Sequence, residues 1–148
     1  MRKFAFLGAA ATAIVAVPAQ ANEARVEARG GIAWANGTEE AIAGVAGGYD
    51  FDLGTGAFAG VEVSADKILV DGADVVFGAT ARAGAKVGDG GKVYVTGGYS
   101  FNDGDAFHAG AGFQHKLGES TYVKVEYRHF FDDPIDVNTA AVGFGLTF

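Results

Sequence analysis

The sequence predicts an all-β chain closed into an eight-stranded antiparallel up-and-down barrel, behind an N-terminal export segment. Three observations predict it. Segments of about ten alternating residues recur, separated by turn chemistry. One face of these segments carries no charge. The chain holds 24 Gly, two Pro and no Cys, which suits strands and tight turns held together without disulfides.

The first 21 residues stand apart. Met1-Arg2-Lys3 is followed by an apolar run from Phe4 to Val17 and by Pro18-Ala19-Gln20-Ala21. A basic start, a short apolar stretch and a small-x-small exit predict a signal peptide over 1–21, cleaved after Ala21. The run is too short to cross a bilayer as a helix, which needs ~20 residues. Gly or a charge interrupts every later apolar run. The mature domain is then 22–148. Without Arg2 and Lys3, nine of the 11 basic residues face 18 acidic ones, a net charge of −9. That balance argues against nucleic acid as a partner.

Strand one is predicted over Ala24–Ala35, followed by a loop from Asn36 to Glu40. Strand two covers Ala41–Phe51 and strand three Ala57–Ala65, with the loop Asp66–Asp74 after it. Strand four covers Val75–Lys86, strand five Lys92–Phe101 and strand six Ala106–Lys116. Strand seven covers Thr121–Phe131, and the last strand Thr139–Phe148. Gly, Asn and Asp fill the intervals, as turns require.

The more apolar parity of each strand gives 44 positions, from Val26 in the first strand to Phe148 in the last, and none is Asp, Glu, Lys or Arg. At 20% charged residues overall, about nine should have been. Lipid demands such a face, because Arg or Lys at the bilayer midplane costs ~2–4 kcal/mol. Aromatic residues gather at its two ends. With strand one rising, Trp34, Phe77, Tyr99, Phe101, Phe107 and Phe131 are expected near the top, and Tyr49, Phe51 and Phe148 near the bottom. Two such belts mark the two interfaces of a membrane barrel.

The opposite parity carries Arg25, Glu27, Arg29, Glu62, Arg82, Lys86, Lys116, Lys124, Glu126 and Arg128 among Gly, Ala, Ser and Thr. The six nearest mid-height are Glu27, Arg29, Glu62, Arg82, Glu126 and Arg128, three of each sign. They are expected to form an interior charge network, since buried charges persist only when paired. Eight strands leave an interior that side chains just fill. Inward Ala141, Gly143 and Gly145 of strand eight are too small to keep strand one from strand seven. Glu27 or Arg29 is therefore expected to reach Glu126 or Arg128, with Glu62 and Arg82 joining from the opposite wall. Closure needs strand one to pair with strand eight, because unpaired backbone groups are not tolerated in hydrocarbon.

At this point the chain resembles the small eight-stranded outer-membrane barrels of the OmpA, OmpX and opacity-protein kind. The carriers are the leader, the eight segments, Tyr127-Arg128-His129-Phe130 in strand seven and Val142-Gly143-Phe144-Gly145-Leu146-Thr147-Phe148 at the end. The family's strand seven commonly reads Tyr-Arg-Tyr-Phe; here His129 replaces the second Tyr. The resemblance implies a Gram-negative outer membrane and both termini on the periplasmic side. It implies that Phe144, Leu146 and Phe148 form a C-terminal signal read by the barrel-assembly machinery. It implies a monomer with a structural or surface-interaction role. The longest expected outer loop, about nine residues, is shorter than those of the family's adhesins, and a peptidoglycan-binding domain after the barrel is not expected.

No catalytic, cofactor or metal set emerges. Some barrels of this kind modify lipid A with a His and a Ser on the outer face. His129 stands at about that place, but Phe131 follows it on the same face and no Ser is near. A nucleophile needs a base and an orienting group. His108 and His115 have no companions, and no Cys/His constellation exists. The expected outer loops carry Glu39, Glu40, Asp66, Asp71, Asp74, Asp103, Asp105, Asp132, Asp133 and Asp136 against Lys67 alone. Such carboxylates suit solvation, or divalent-cation bridges to lipopolysaccharide. Two alternatives stay open: a soluble periplasmic barrel binding a small ligand, which needs an apolar interior, and a narrow porin-like channel, which needs an open lumen.

Overall fold

The structure is a computed structural model, which describes residues 22–102, 105–132 and 135–148. The expected signal peptide, Asp103 and Asp133 lie outside the described residues. Eight strands form one closed antiparallel barrel: β1 (Glu23–Ala35), β2 (Thr38–Asp52), β3 (Ala57–Ile68), β4 (Val75–Val87), β5 (Gly91–Phe101), β6 (Ala106–Lys116), β7 (Thr121–Phe131) and β8 (Val137–Thr147). No helix is present among the described residues. Each strand pairs with its sequence neighbours, and β1 closes on β8 from Arg25↔Thr147 to Trp34↔Asn138. Phe148 prolongs that seam, its N–H donating to the Ala24 carbonyl at 2.8 Å. The two termini thus share one end of the barrel.

The registers fix the shape. From Ala24 the paired residues run through Tyr49, Val61, Ala81, Gly97, Ala109, His129 and Asn138 to Trp34. One circuit of the wall therefore climbs ten residues along β1, from 24 to 34. With a rise of ~3.3 Å per residue and strands ~4.8 Å apart, that stagger tilts the strands by about 40°.

Three boundaries differ from the sequence expectation by more than one residue. β2 begins at Thr38, because Asn36 and Gly37 take positive φ (50° and 77°) and join Ala35 to its partner Thr38. This two-residue Asn-Gly hairpin turn matches the twist of the strands and needs no longer loop. β3 runs on to Ile68 against Ile42, so Asp66 and Lys67 are strand residues rather than loop. The loop after β3 shrinks to 69–74. β8 begins two residues early, at Val137.

The core is inverted. Arg25 is 0% exposed and Lys124 2%, whereas Val95 is 62%, Phe107 68% and Phe144 56% exposed. Large apolar side chains cover the outside and polar ones fill the inside. The longer strands add Glu39 and Lys67 to the outward parity, both beside the end far from the termini.

Candidate functional site

The site is the lumen, and glycine builds it. Along a row of paired residues, a long polar side chain stands on one strand, a glycine on the next and its partner on the third. Arg25, Gly48 and Glu62 form such a row; so do Arg29, Gly44 and Asp66. Asp50, Gly60 and Arg82 form another, as do Tyr94, Gly112 and Glu126, and Tyr122, Gly145 and Glu27. In every case the outer two members meet over the glycine. Arg25 Nη1 donates to Glu62 Oε2 at 2.8 Å, Tyr94 Oη to Glu126 Oε2 at 2.7 Å and Tyr122 Oη to Glu27 Oε2 at 2.8 Å. Arg29 Nε donates to Asp66 Oδ1 at 2.8 Å, and Arg82 Nε to Asp50 Oδ1 at 3.0 Å. The absent side chain matters: a Cβ on Gly48 would lie 2.7 Å from Arg25 Nη2, and one on Gly112 2.4 Å from Tyr94 Oη.

Two clusters result. The first centres on Glu62, which accepts from Arg25, from Arg29 Nη1 at 3.1 Å and from Arg128 Nη2 at 2.8 Å. Lys124 Nζ lies 3.6 Å from it and donates to Glu27 Oε1 at 2.5 Å. Arg128 also donates through Nε to Glu126. The second cluster centres on Asp50, bonded to Arg82 and to Lys92 Nζ at 3.0 Å. Arg82 donates to Gln114 Oε1 at 3.1 Å, and its guanidinium carbon sits 4.7 Å from the Tyr94 ring centre. Phe58 lies beneath Lys92, 4.9 Å from its nitrogen.

The expected direct contact of Glu27 or Arg29 with Glu126 or Arg128 takes a mediated form. Lys124 bridges Glu27 and Glu126, and Glu62 bridges Arg29 and Arg128. Glu62 joins these residues from the opposite wall as expected, whereas Arg82 bonds Asp50, which Arg25 links to Glu62. The stagger explains it, since Gly60 puts Asp50 and Arg82 on one row. Near the termini, Lys86 pairs with Asp52 at 2.7 Å and Lys116 with Glu23 at 2.9 Å. The sequence reading counted seven inward bases and three acids. Glu23, Asp50, Asp52 and Asp66 join the acids and Lys92 the bases; these eight bases and seven acids are all in ion pairs, and Glu40 adds an eighth acid of inward parity at the far end. Asp50 and Lys92 were legible by parity alone; Asp66 was hidden by the assumption that β3 ended at Ala65.

Outside, the far end carries ring contacts from Trp34 to Tyr127 (6.2 Å between centres), His129 to Phe131 (4.8 Å), Tyr99 to Phe107 (5.0 Å) and Phe77 to Phe101 (6.0 Å). β2 and β3 add no aromatic residue there, so these rings form an arc over β4–β7 and β1. At the terminal end Tyr49 packs edge-on against Phe51 at 4.9 Å, and Phe148 lies exposed. Phe144 and Leu146 also face outward.

His129 has more company than its sequence neighbours show. Its Nδ1 lies 2.7 Å from Asn138 Oδ1 and its Nε2 3.2 Å from Asp136 Oδ2; Tyr127 Oη also donates to Asn138. This orients an imidazole, yet among the described residues no Ser, Thr or Cys is bonded to it, and Phe131 holds the neighbouring position on the wall. His108 faces inward, 3.4 Å from Thr80 Oγ1 across Gly98. His115 stacks on Phe113 outside. No cluster of three metal-ligating side chains exists among the described residues.

A family model described as "Outer membrane protein beta-barrel domain" matches residues 7–148. No curated protein matches the chain. Among solved structures, the N-terminal β-barrel domain of Pseudomonas aeruginosa OprF is similar at 16% identity and a TM-score of 0.64, covering 85% of this chain and 97% of that one. Ail, the attachment invasion locus protein of Yersinia pestis, is similar at 14% identity and a TM-score of 0.68, covering 88% and 100%. The outer membrane enzyme PagL is similar at 13% identity and a TM-score of 0.55, covering 82% and 97%. At these identities the likeness is one of fold.

Proposed function

As the chain belongs to the outer membrane protein β-barrel domain family, we propose that it is a non-enzymatic barrel of the Gram-negative outer membrane, exported by a cleaved signal peptide. Its role in this reading is structural or surface-interacting. One observation carries the reading: the inversion of the core. Water would leave Val95, Phe107, Phe144 and Phe148 wet and Arg25 and Lys124 dry, the reverse of a soluble fold. Lipid outside removes the contradiction. A soluble ligand-binding barrel needs an apolar interior, and mid-height of this one is salt bridges. PagL lends no catalytic argument, because His129 has an acid and an amide beside it but no nucleophile.

In this reading the end bearing the termini faces the periplasm and the 69–74 loop faces out. The acidic residues beyond the wall, among them Asp71, Asp74 and Asp105, meet lipopolysaccharide, with divalent cations bridging the like charges. The barrel inserts as a monomer, Phe144, Leu146 and Phe148 serving the assembly machinery. The test is gel mobility of the membrane fraction, boiled against unboiled. A membrane barrel stays folded in detergent and shifts on heating. Recovery in the soluble periplasmic fraction, with no shift, overturns the reading.

A further inference from the structure

Above the salt bridges, at the end far from the termini, the lumen changes character. Ile42, Ile68, Val76, Phe130 and Val137 line a cavity of about 180 Å³. All five have inward parity: Ile68 is the next inward position after Asp66 and Phe130 the next after Arg128, Val76 pairs with Asp66, Val137 pairs with Phe130, and Glu40 is the next inward position beyond Ile42. The floor is ionic: Arg29, Lys124, Glu126, Arg128 and Asp66 line it too, and Lys67 and Asp132 complete the charged lining. An apolar collar there is unexpected, because solvation or ion pairing would favour polar residues in a water-filled mouth. An engineered apolar cavity of ~150 Å³ is enough to hold benzene.

The floor is not evenly accessible. The Arg29 and Arg128 side chains are 8% and 7% exposed, and that of Asp66 is 27%. Both guanidiniums are turned down onto Glu62, and Asp66 lies over Arg29, a carboxylate facing the cavity. At this end Glu39, Asp71, Asp74, Asp105 and Asp136 are exposed against Lys67, an acidic balance that concentrates cations.

We infer that this mouth binds a small cationic amphiphile, its apolar body held by the Ile42–Ile68–Val76–Phe130 collar and its ammonium on the Asp66 carboxylate. Asp66 keeps lone pairs for an ammonium beside those it offers Arg29, and a charge-assisted bond there gives direction to otherwise undirected apolar contact. The inference does not depend on which membrane face the mouth opens to, so it can fail while the outer-membrane reading stands.

The test uses the full barrel in phosphatidylcholine discs, with discs lacking protein as reference. The probes are para-fluorophenethylammonium, the matching arylacetate and the matching alcohol, followed by fluorine NMR. The expected result is saturable binding of the ammonium alone, with Overhauser contacts to the methyl groups of Ile68 and Val76. Asp66→Asn is expected to weaken it at least about tenfold, and Val76→Trp, which fills the collar, to abolish it. Equal binding of the acetate or the alcohol overturns the inference. So does undiminished binding to a folded Asp66→Asn variant, or signal no greater than in protein-free discs. Should Asp66→Asn not fold, the three-probe comparison and Val76→Trp decide alone.

Discussion

Glu62 accepts from three guanidiniums, those of Arg25, Arg29 and Arg128, and among the described residues no other carboxylate does so. A charge at that depth is tolerable only while its partners remain, because a lone buried ion keeps the desolvation cost and loses the attraction. Arg128→Leu removes a guanidinium shared by Glu62 and Glu126, leaving Lys124 between them. The expected cost is ~3–5 kcal/mol, read as a lowered unfolding temperature on heated gels. Asp105→Asn, in an exposed loop, is expected to change it by less than ~0.5 kcal/mol. Equal transitions for the two variants contradict the network. The sequence made most of these charges visible through strict alternation. It did not show their pairing, since pairing depends on register, and register depends on turns such as Asn36-Gly37.

At the scale of the element, the strands alternate long and absent side chains across the wall as well as along it. A row of polar residue, glycine and polar residue lets two side chains two strands apart meet directly. Strand eight was readable in this way from Gly143 and Gly145 alone, because both neighbours of a closing strand are known once closure is assumed. The other rows needed the registers. The same scale separates two kinds of strand glycine. A Cβ on Gly48 would stand 2.6 Å from the Val61 carbonyl oxygen as well as against Arg25, whereas one on outward Gly97 meets nothing within 4 Å. Gly48→Ala is expected to destabilise by ~1–3 kcal/mol through overpacking. Gly97→Ala is expected to be neutral or to stabilise by up to ~1 kcal/mol, since glycine in a strand costs backbone entropy. Unfolding in urea from lipid discs measures both; the opposite order refutes the row arrangement.

At the scale of the molecule, fold class was legible almost throughout, because lipid imposes one rule on every strand: no charge outward at mid-height. The apolar collar at the mouth was not legible. Ile68 and Val137 fall in stretches expected as loops, and Val76 lies on the parity expected to be polar. Mid-height closure bears on transport. The Glu62 and Asp50 clusters span the lumen with side chains nearly all below 10% exposure, and eight strands enclose little more than their side chains. Purified protein in planar bilayers is therefore expected to give no steady conductance. Steady single-channel steps contradict a lumen sealed by ion pairs.

The central claim is that the charged face points inward and the apolar face touches lipid. The chain has no cysteine, so single cysteines can carry a spin label at each position of β5, Gly91–Phe101. In lipid discs, relaxation by oxygen, which partitions into hydrocarbon, reports lipid contact. The account predicts a period of two, with high oxygen accessibility at positions 93, 95, 97 and 99 and low accessibility at 94, 96, 98 and 100. Maxima at the even positions, or water-soluble nickel complexes reaching both sets alike, contradict it.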